Sequence, residues 1–276
     1  QIDAAGATPE RICAMMETAL DSLAWALEQA PDTALHALDV LPADERRQVL
    51  EVWNATEIDY PNGLCVQHLF EAQVERTPDV IALRFEDRSL SYAELSRQAN
   101  RLAHHLIGLG VGPDARVAIC AERSLEMVIG LFAILKAGGA YVPLDPGYPR
   151  DRLAYQLEDC APVLLLTQRA LLPLFADPVV PVLCLDDLPS LPAEERNPRP
   201  AGLTQQPPAY EIYTSGSTGK PKGAMNQHDG VVNRLLWAQQ QFALDADDRV
   251  LQKTPFGFDV SVWEFFLPLL AGAQLV

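Results

Sequence analysis

The chain has 276 residues, 49% hydrophobic and 21% charged, the composition of a globular chain with a sizeable core, sized for one large domain or two small ones. A formal net charge of −16 and a pI near 4.6 would repel a phosphate backbone. That excludes sequence-independent nucleic-acid binding, and leaves room for a nucleotide only where backbone N–H groups and a few lysines converge.

From the N-terminus, residues 8–30 predict an amphipathic helix. Thr8 can cap it, Pro9 suits its first turn, and Ile12, Met15, Met16, Ala19, Leu20 and Leu23 form its apolar stripe. A short helix follows, with Pro42 at its start and Arg46–Trp53 as its body, and Asn54–Leu64, containing Pro61-Asn62-Gly63, reads as a linker. From Val66 the pattern turns to alternation of helix and strand. A helix over Val66–Arg76 leads to a strand at Val80–Phe85, a tight turn at Glu86–Arg88, and a helix opened by the capping-box pair Ser91 and Glu94. Arg116–Cys120 is a strand, and Ser124–Ala137 a helix stopped by Gly138-Gly139. Further strands are expected at Ala140–Leu144, Val163–Leu166, Val179–Leu185 and Ala209–Tyr213, with a helix at Pro149–Asp159. Alternation of this kind argues for an α/β fold with mainly parallel sheets covered by helices on both faces. Pro189–Pro208, rich in Pro and charge, reads as a surface connection.

Other features are bland. The five cysteines, Cys13, Cys65, Cys120, Cys160 and Cys184, include no CxxC pair; they read as reduced thiols, each a small buried hydrophobe, in a cytoplasmic protein. The histidines show no metal-ligand spacing and read as surface or capping residues, so no protein metal site is expected. Gln1–Leu20 has no secretory pattern, and the apolar stretch Met127–Leu144 is interrupted by Lys136 and two glycines, so no membrane span is expected. There is no initiating Met and the last residues, Leu275-Val276, lie within an apolar run, which leads us to expect truncation at both ends.

The segment that carries chemistry is YTSGSTGKPKG, Tyr213–Gly223, following an apolar strand. Its internal glycines permit close backbone approach to a ligand, and its hydroxyls, free N–H groups and two lysines can donate to phosphate oxygens. It is not a Walker-type loop: Thr214 stands where that pattern needs Gly, and Pro221 where it needs a hydroxyl. Pro221 also biases Lys220 toward an extended backbone, so a flap closing over phosphates is expected rather than a helix N-terminus. The competing reading is a flexible Ser/Gly linker. Asp259, in a largely apolar setting, admits two readings: a helix N-cap ahead of Val260–Leu270, or a buried carboxylate that needs a charged partner.

The loop resembles the phosphate-binding signature of the adenylate-forming (acyl-activating) enzymes. LSYAEL at Leu90–Leu95, LKAGGAYVPLDPGYP at Leu135–Pro149 and FDVS at Phe258–Ser261 sharpen the resemblance to the adenylation domains of nonribosomal peptide synthetases. Residues 35–80, with ERRQVLEVWNAT, YP and FEAQVERTPD, resemble the segment that joins a condensation domain to its adenylation domain, and residues 1–34 the condensation domain's last helix.

The resemblance implies residues 1–64 as a condensation-domain tail and linker, and 65–276 as the N-terminal part of an adenylation domain, an incomplete core of the adenylate-forming fold. It implies that Thr214, Ser215, Gly216, Ser217, Thr218, Gly219, Lys220 and Lys222 hold the ATP phosphates, with Mg²⁺ as the family's metal. Asp259 would receive a substrate α-ammonium, and Val260 and Trp263 would line the side-chain pocket, in a pattern leaning to serine. Trp263 read alone is as well a core residue of a helix face. The aminoacyl group would pass to phosphopantetheine on a separate carrier domain, so the implied partners are an upstream condensation domain and a downstream carrier domain. No complete catalytic set is present, and the chain as given is expected to be inactive. The alternatives are an acyl- or aryl-acid CoA ligase of the same superfamily, and a non-catalytic remnant acting as an interaction module. Glu211 departs from the family's apolar residue in the strand before the loop, as Asp229 and Gly257 depart from common choices; an unpaired charge at Glu211 would disturb strand packing.

Overall fold

In the computed structural model, which describes residues 8–175, 178, 180–216 and 219–276, the chain divides into two units, Gln1–Asp59 and Tyr60–Val276. In the first, helix α1 (Pro9–Gln29) begins as its sequence demands, the Thr8 hydroxyl accepting the Arg11 N–H at 3.3 Å with Pro9 in the first turn. Helix α2 (Ala43–Arg47) runs on through a wide turn in which the Trp53 N–H donates to the Gln48 carbonyl at 2.9 Å. The expected apolar stripe of α1 is largely uncovered: Met16 and Leu20 are 58% and 61% exposed, and Ala26 alone in the helix is buried.

The second unit opens with α3 (Val66–Arg76), then the hairpin of β1 (Ile81–Phe85) and β2 (Arg88–Ser91), turned by Glu86 at φ 54°. Helix α4 (Tyr92–Gly108) starts in a reciprocal box, Ser91 Oγ accepting the Glu94 N–H at 3.2 Å and Glu94 the Ser91 N–H at 2.8 Å. There follow β3 (Arg116–Cys120), α5 (Leu125–Lys136), β4 (Ala140–Pro143), α6 (Arg150–Cys160), β5 (Leu164–Thr167) and β6 (Val182–Cys184). Gly138, at φ +87°, ends α5 in the left-handed conformation that its position requires. The strand expected over Val179–Leu185 is confined to β6, and Val179 itself lies outside the described residues. The chain closes with β7 (Pro208–Thr214), β8 (Lys222–Gln227), α7 (His228–Phe242), β9 (Arg249–Val250), α8 (Val260–Ala271) and β10 (Gln274–Leu275).

The larger sheet has the order β6-β5-β3-β4-β7-β8 and is parallel up to its last pair, β7 and β8, which are antiparallel; the smaller has the order β2-β1-β10-β9. Alternation along β3 sends Val117 and Ile119 into one apolar cluster, with Leu102, Leu131 and Phe266 of α4, α5 and α8. It sends Ala118 and Cys120 into another, with Leu153 and Cys160 of α6. Both faces are therefore covered, and the fold is α/β with mainly parallel sheets. Strand β8 was not expected from sequence because it is a polar, mostly exposed edge strand with no apolar alternation.

Lys136 does more than interrupt an apolar run. Its side chain is 0% exposed and its Nζ lies 2.9 Å from both Glu71 Oε1 and Asn197 Oδ1. Glu71 Oε2 takes Arg199 Nη1 at 2.9 Å. Burial pushes the Lys136 pKa down, against the pull of Glu71. Asn100 Nδ2 adds a bond to the Glu195 carbonyl at 2.6 Å, and Arg101 Nε one to that of Pro192 at 3.0 Å. The connection expected merely to cross the surface is thus a strap tied to α3, α4 and α5. Cys65, Cys120 and Cys160 are buried as expected, with burial pushing their thiols up to about 11, 12 and 12. Cys13 is exposed and Cys184 half-buried, against the expectation of five buried thiols; Cys13 sits on α1, whose unit covers little of its surface. Among the described residues, no helix is long and apolar enough to cross a membrane.

Candidate functional site

The glycine-rich segment is the connection between β7 and β8, whose register brings Thr214 opposite Lys222. The Gly219 N–H donates to the Gly216 carbonyl at 3.1 Å, closing a turn in which a Cβ at Gly216 would lie 2.2 Å from the Lys220 carbonyl oxygen. Gly216 is therefore required by close approach and Gly219, at φ +85°, by backbone conformation. Lys220 and Lys222 are exposed, and Ser217 and Thr218 lie outside the described residues. The loop runs into a strand, so no helix N-terminus stands behind it. Helix α6 braces the flanks: the Tyr213 hydroxyl donates to Asp159 Oδ2 at 2.6 Å, and that of Tyr155 to the Pro221 carbonyl at 3.2 Å. Burial first, then the bond to Asp159, raises the Tyr213 pKa. The Lys220 ammonium lies 5.6 Å from the centre of the Tyr155 ring.

Glu211, the charge that threatened strand packing, is 5% exposed and paired with Arg116, its Oε2 meeting Arg116 Nε. Its carboxylate lies so close across β8 that a Cβ on Gly223 would sit 2.0 Å from Oε1. The pair supplies the partner that burial of this charge requires, and Gly223 supplies the space.

Asp259 is exposed, which corrects the expectation of a buried carboxylate; Phe258 and Val260 beside it are 54% and 50% exposed while Phe256 and Val262 turn inward. Nor is it a side-chain cap: its backbone is already helical, at φ −60° and ψ −27°, and its carboxylate makes no capping bond to α8. It stands where two cavities adjoin, sharing both with Tyr210 and Asn226. One, of about 390 Å³, is bounded by Val260, Trp263, Val231 and Arg234; the other, of about 490 Å³, extends to Thr214 and Ser215 of the loop and to Tyr148 and Arg152. Trp263 is half-buried, its ring 6.2 Å from that of Phe242, so it packs against α7 and lines a cavity at once. Burial, with the negative charge of Asp259, pushes the Tyr210 phenol up to about 12, so it is a neutral donor and acceptor at neutral pH.

The approach to Asp259 is held by Glu264, whose carboxylate accepts the Thr254 N–H at 2.9 Å, the Thr254 hydroxyl at 2.6 Å and the Lys253 N–H at 3.1 Å. Gly257 passes the Tyr148 hydroxyl where a Cβ would lie 3.3 Å from it, which explains the departure there. Nothing in the structure explains Asp229. His228 is buried rather than at the surface, its Nδ1 accepting the Val66 N–H at 3.3 Å, while His68 Nδ1 accepts the Cys65 N–H at 3.1 Å. Among the described residues no three His, Cys, Asp or Glu side chains converge as a metal site.

The site thus joins Thr214 and Ser215 to Asp259, and Asp259 to Val260 and Trp263, through walls that sequence reading missed: Tyr148, Arg152, Tyr210, Asn226 and Arg234. Only Tyr148 carried a sequence signal, as part of the Leu135–Pro149 stretch. The others lie on elements whose function their local pattern does not advertise.

The sequence profile described as AMP-binding enzyme matches residues 70–276. Malpinin synthetase of Mortierella alpina is 49% identical over 96% of this chain, and tyrocidine synthase 3 of Brevibacillus parabrevis 47% identical over 92%. The chain spans 3% of the length of the first of these relatives and 4% of the second. Among solved structures, the nonribosomal peptide synthetase FmoA3 with α-methyl-L-serine-AMP bound superposes with a TM-score of 0.84 at 32% identity, covering 98% of this chain and 30% of that one.

Proposed function

The chain belongs to the AMP-binding enzyme family, and from that premise we propose that it is the part of a nonribosomal peptide synthetase adenylation domain that receives ATP and the amino acid. Residues 1–64 are then the condensation-domain tail and linker, and residues 65–276 the adenylation part. The observation that carries this reading is the position of Asp259, an exposed carboxylate without an ion pair among the described residues, at the junction of a cavity reaching the glycine-rich loop and one lined by Val260 and Trp263. An α-ammonium bound at Asp259 would leave the substrate carboxylate on the side of the loop. That carboxylate oxygen bonds to the α-phosphorus of ATP as the bond to pyrophosphate breaks. Thr214, Ser215, Gly216, Ser217, Thr218, Gly219, Lys220 and Lys222 would hold the phosphates, their donors meeting charge that grows on the leaving group.

Mg²⁺ would enter as the counter-ion of ATP. The aminoacyl group would pass to the phosphopantetheine thiol of a neighbouring carrier domain, in the cytoplasm. Serine is the proposed amino acid: the pattern of Asp259, Val260 and Trp263 around the pocket leans to it, and α-methyl-L-serine-AMP is the ligand bound to FmoA3.

The test is Asp259→Ala in an intact adenylation domain, read by ATP–pyrophosphate exchange against all amino acids and a panel of aryl and fatty acids. Amino-acid-dependent exchange is expected to fall about thirtyfold or more, the cost of removing one partner of a charged contact. Exchange driven by an aryl or fatty acid and untouched by the substitution would assign the protein to the acid–CoA ligases instead.

A further inference from the structure

The cavity that reaches the glycine-rich loop has a cation in its wall. Arg152, in the first turn of α6, lines it together with Thr214 and Ser215. The guanidinium carbon lies 3.7 Å from the centre of the Tyr148 ring. Its Nε is buried without a hydrogen-bond partner, and the side chain forms no ion pair among the described residues. The unpartnered Nε and the place in the first turn are costs if the residue serves the fold alone. A buried unsatisfied donor is destabilising, and a cation in the first turn of a helix opposes the helix dipole. The contact with Tyr148 holds the guanidinium at the cavity, and a guanidinium can offer paired hydrogen bonds to an oxyanion. Lys220 of the loop lies over Tyr155, one turn further along α6, so α6 carries one cation and receives another in a protein whose net charge is −16.

We infer that Arg152, seated against Tyr148, binds the polyphosphate of the nucleotide from the α6 side of the cavity that it shares with Thr214 and Ser215. The inference rests on the reading of this cavity as the ATP site. The loop hydroxyls and backbone donors and the Arg152 guanidinium then both meet the negative charge appearing on pyrophosphate.

The test uses an intact adenylation domain and calorimetric titration with a non-hydrolysable ATP analogue, with adenosine, and with the amino acid. Arg152→Gln is expected to weaken the analogue about tenfold, equivalent to about 1.4 kcal/mol, while adenosine and the amino acid bind as in the wild type. Arg152→Lys, which keeps charge and loses the planar fork, should recover part of that loss. Analogue affinity within twofold of wild type in Arg152→Gln would overturn the inference, as would equal weakening of adenosine, which marks a structural role. Weakening confined to the amino acid would assign Arg152 to the substrate carboxylate and equally overturn it. A wild type that binds the analogue but activates no amino acid would remove the proposed function and leave Arg152 testable by the same titration; a wild type that binds no nucleotide would remove both.

Discussion

His228 makes the stability of the fold depend on pH. It is 0% exposed at the start of α7, and its Nδ1 accepts the Val66 N–H at 3.3 Å. That bond requires an unprotonated Nδ1. Burial, reinforced by nearby His68 and opposed by Asp229, pushes its pKa from the ordinary 6.5 down to about 4. Because the folded pKa lies below the unfolded one, the unfolded chain binds more protons between these values. The contribution is therefore fully present above about pH 6.5 and is lost as pH falls toward about 4. The shift corresponds to about 3 kcal/mol in full, of which about 2 kcal/mol is lost between roughly pH 7.5 and roughly pH 5. The assay is urea unfolding at both pH values for wild type and His228→Asn, which keeps an acceptor but does not titrate. The variant should be less stable at the higher pH and should lose about 2 kcal/mol less than wild type on acidification. Equal losses in the two proteins would refute the argument and assign acid sensitivity to other groups.

Two more predictions bear on the strap and the loop. Glu71→Gln leaves Lys136 buried opposite a neutral amide and should cost about 3–5 kcal/mol in urea unfolding, whereas Glu71→Leu combined with Lys136→Met should recover most of it; a single variant within about 1 kcal/mol of wild type would show the pair to be solvated in solution. Gly216→Ala places a methyl 2.2 Å from the Lys220 carbonyl oxygen and should open the loop, weakening nucleotide binding about tenfold or more in calorimetry with little change in melting temperature.

The elements with an amphipathic or apolar repeat were legible in sequence. Helices α3, α4, α5 and α6 and strands β1, β3, β4 and β7 follow from periodicity and from caps such as Ser91 with Glu94 and Ser124 before Leu125, because those signals act within a few residues of themselves. The position of the glycine-rich loop and the absence of a Walker-type helix after it were equally local, fixed by Pro221 and by the order of its glycines. Tertiary structure decided what depends on distant neighbours. Whether Glu211 was a defect rested on Arg116, 95 positions away, and whether Lys136 broke a core or anchored one rested on Glu71 and Asn197. Asp259 read as a cap or a buried charge and is neither; the packing of α8 against its surroundings left it exposed between two cavities. Arg152 and Tyr210 became walls of the site in the same way. Periodicity reports which face of an element turns inward; which charges meet, and which stay free for a ligand, is set by contacts between segments far apart in the chain.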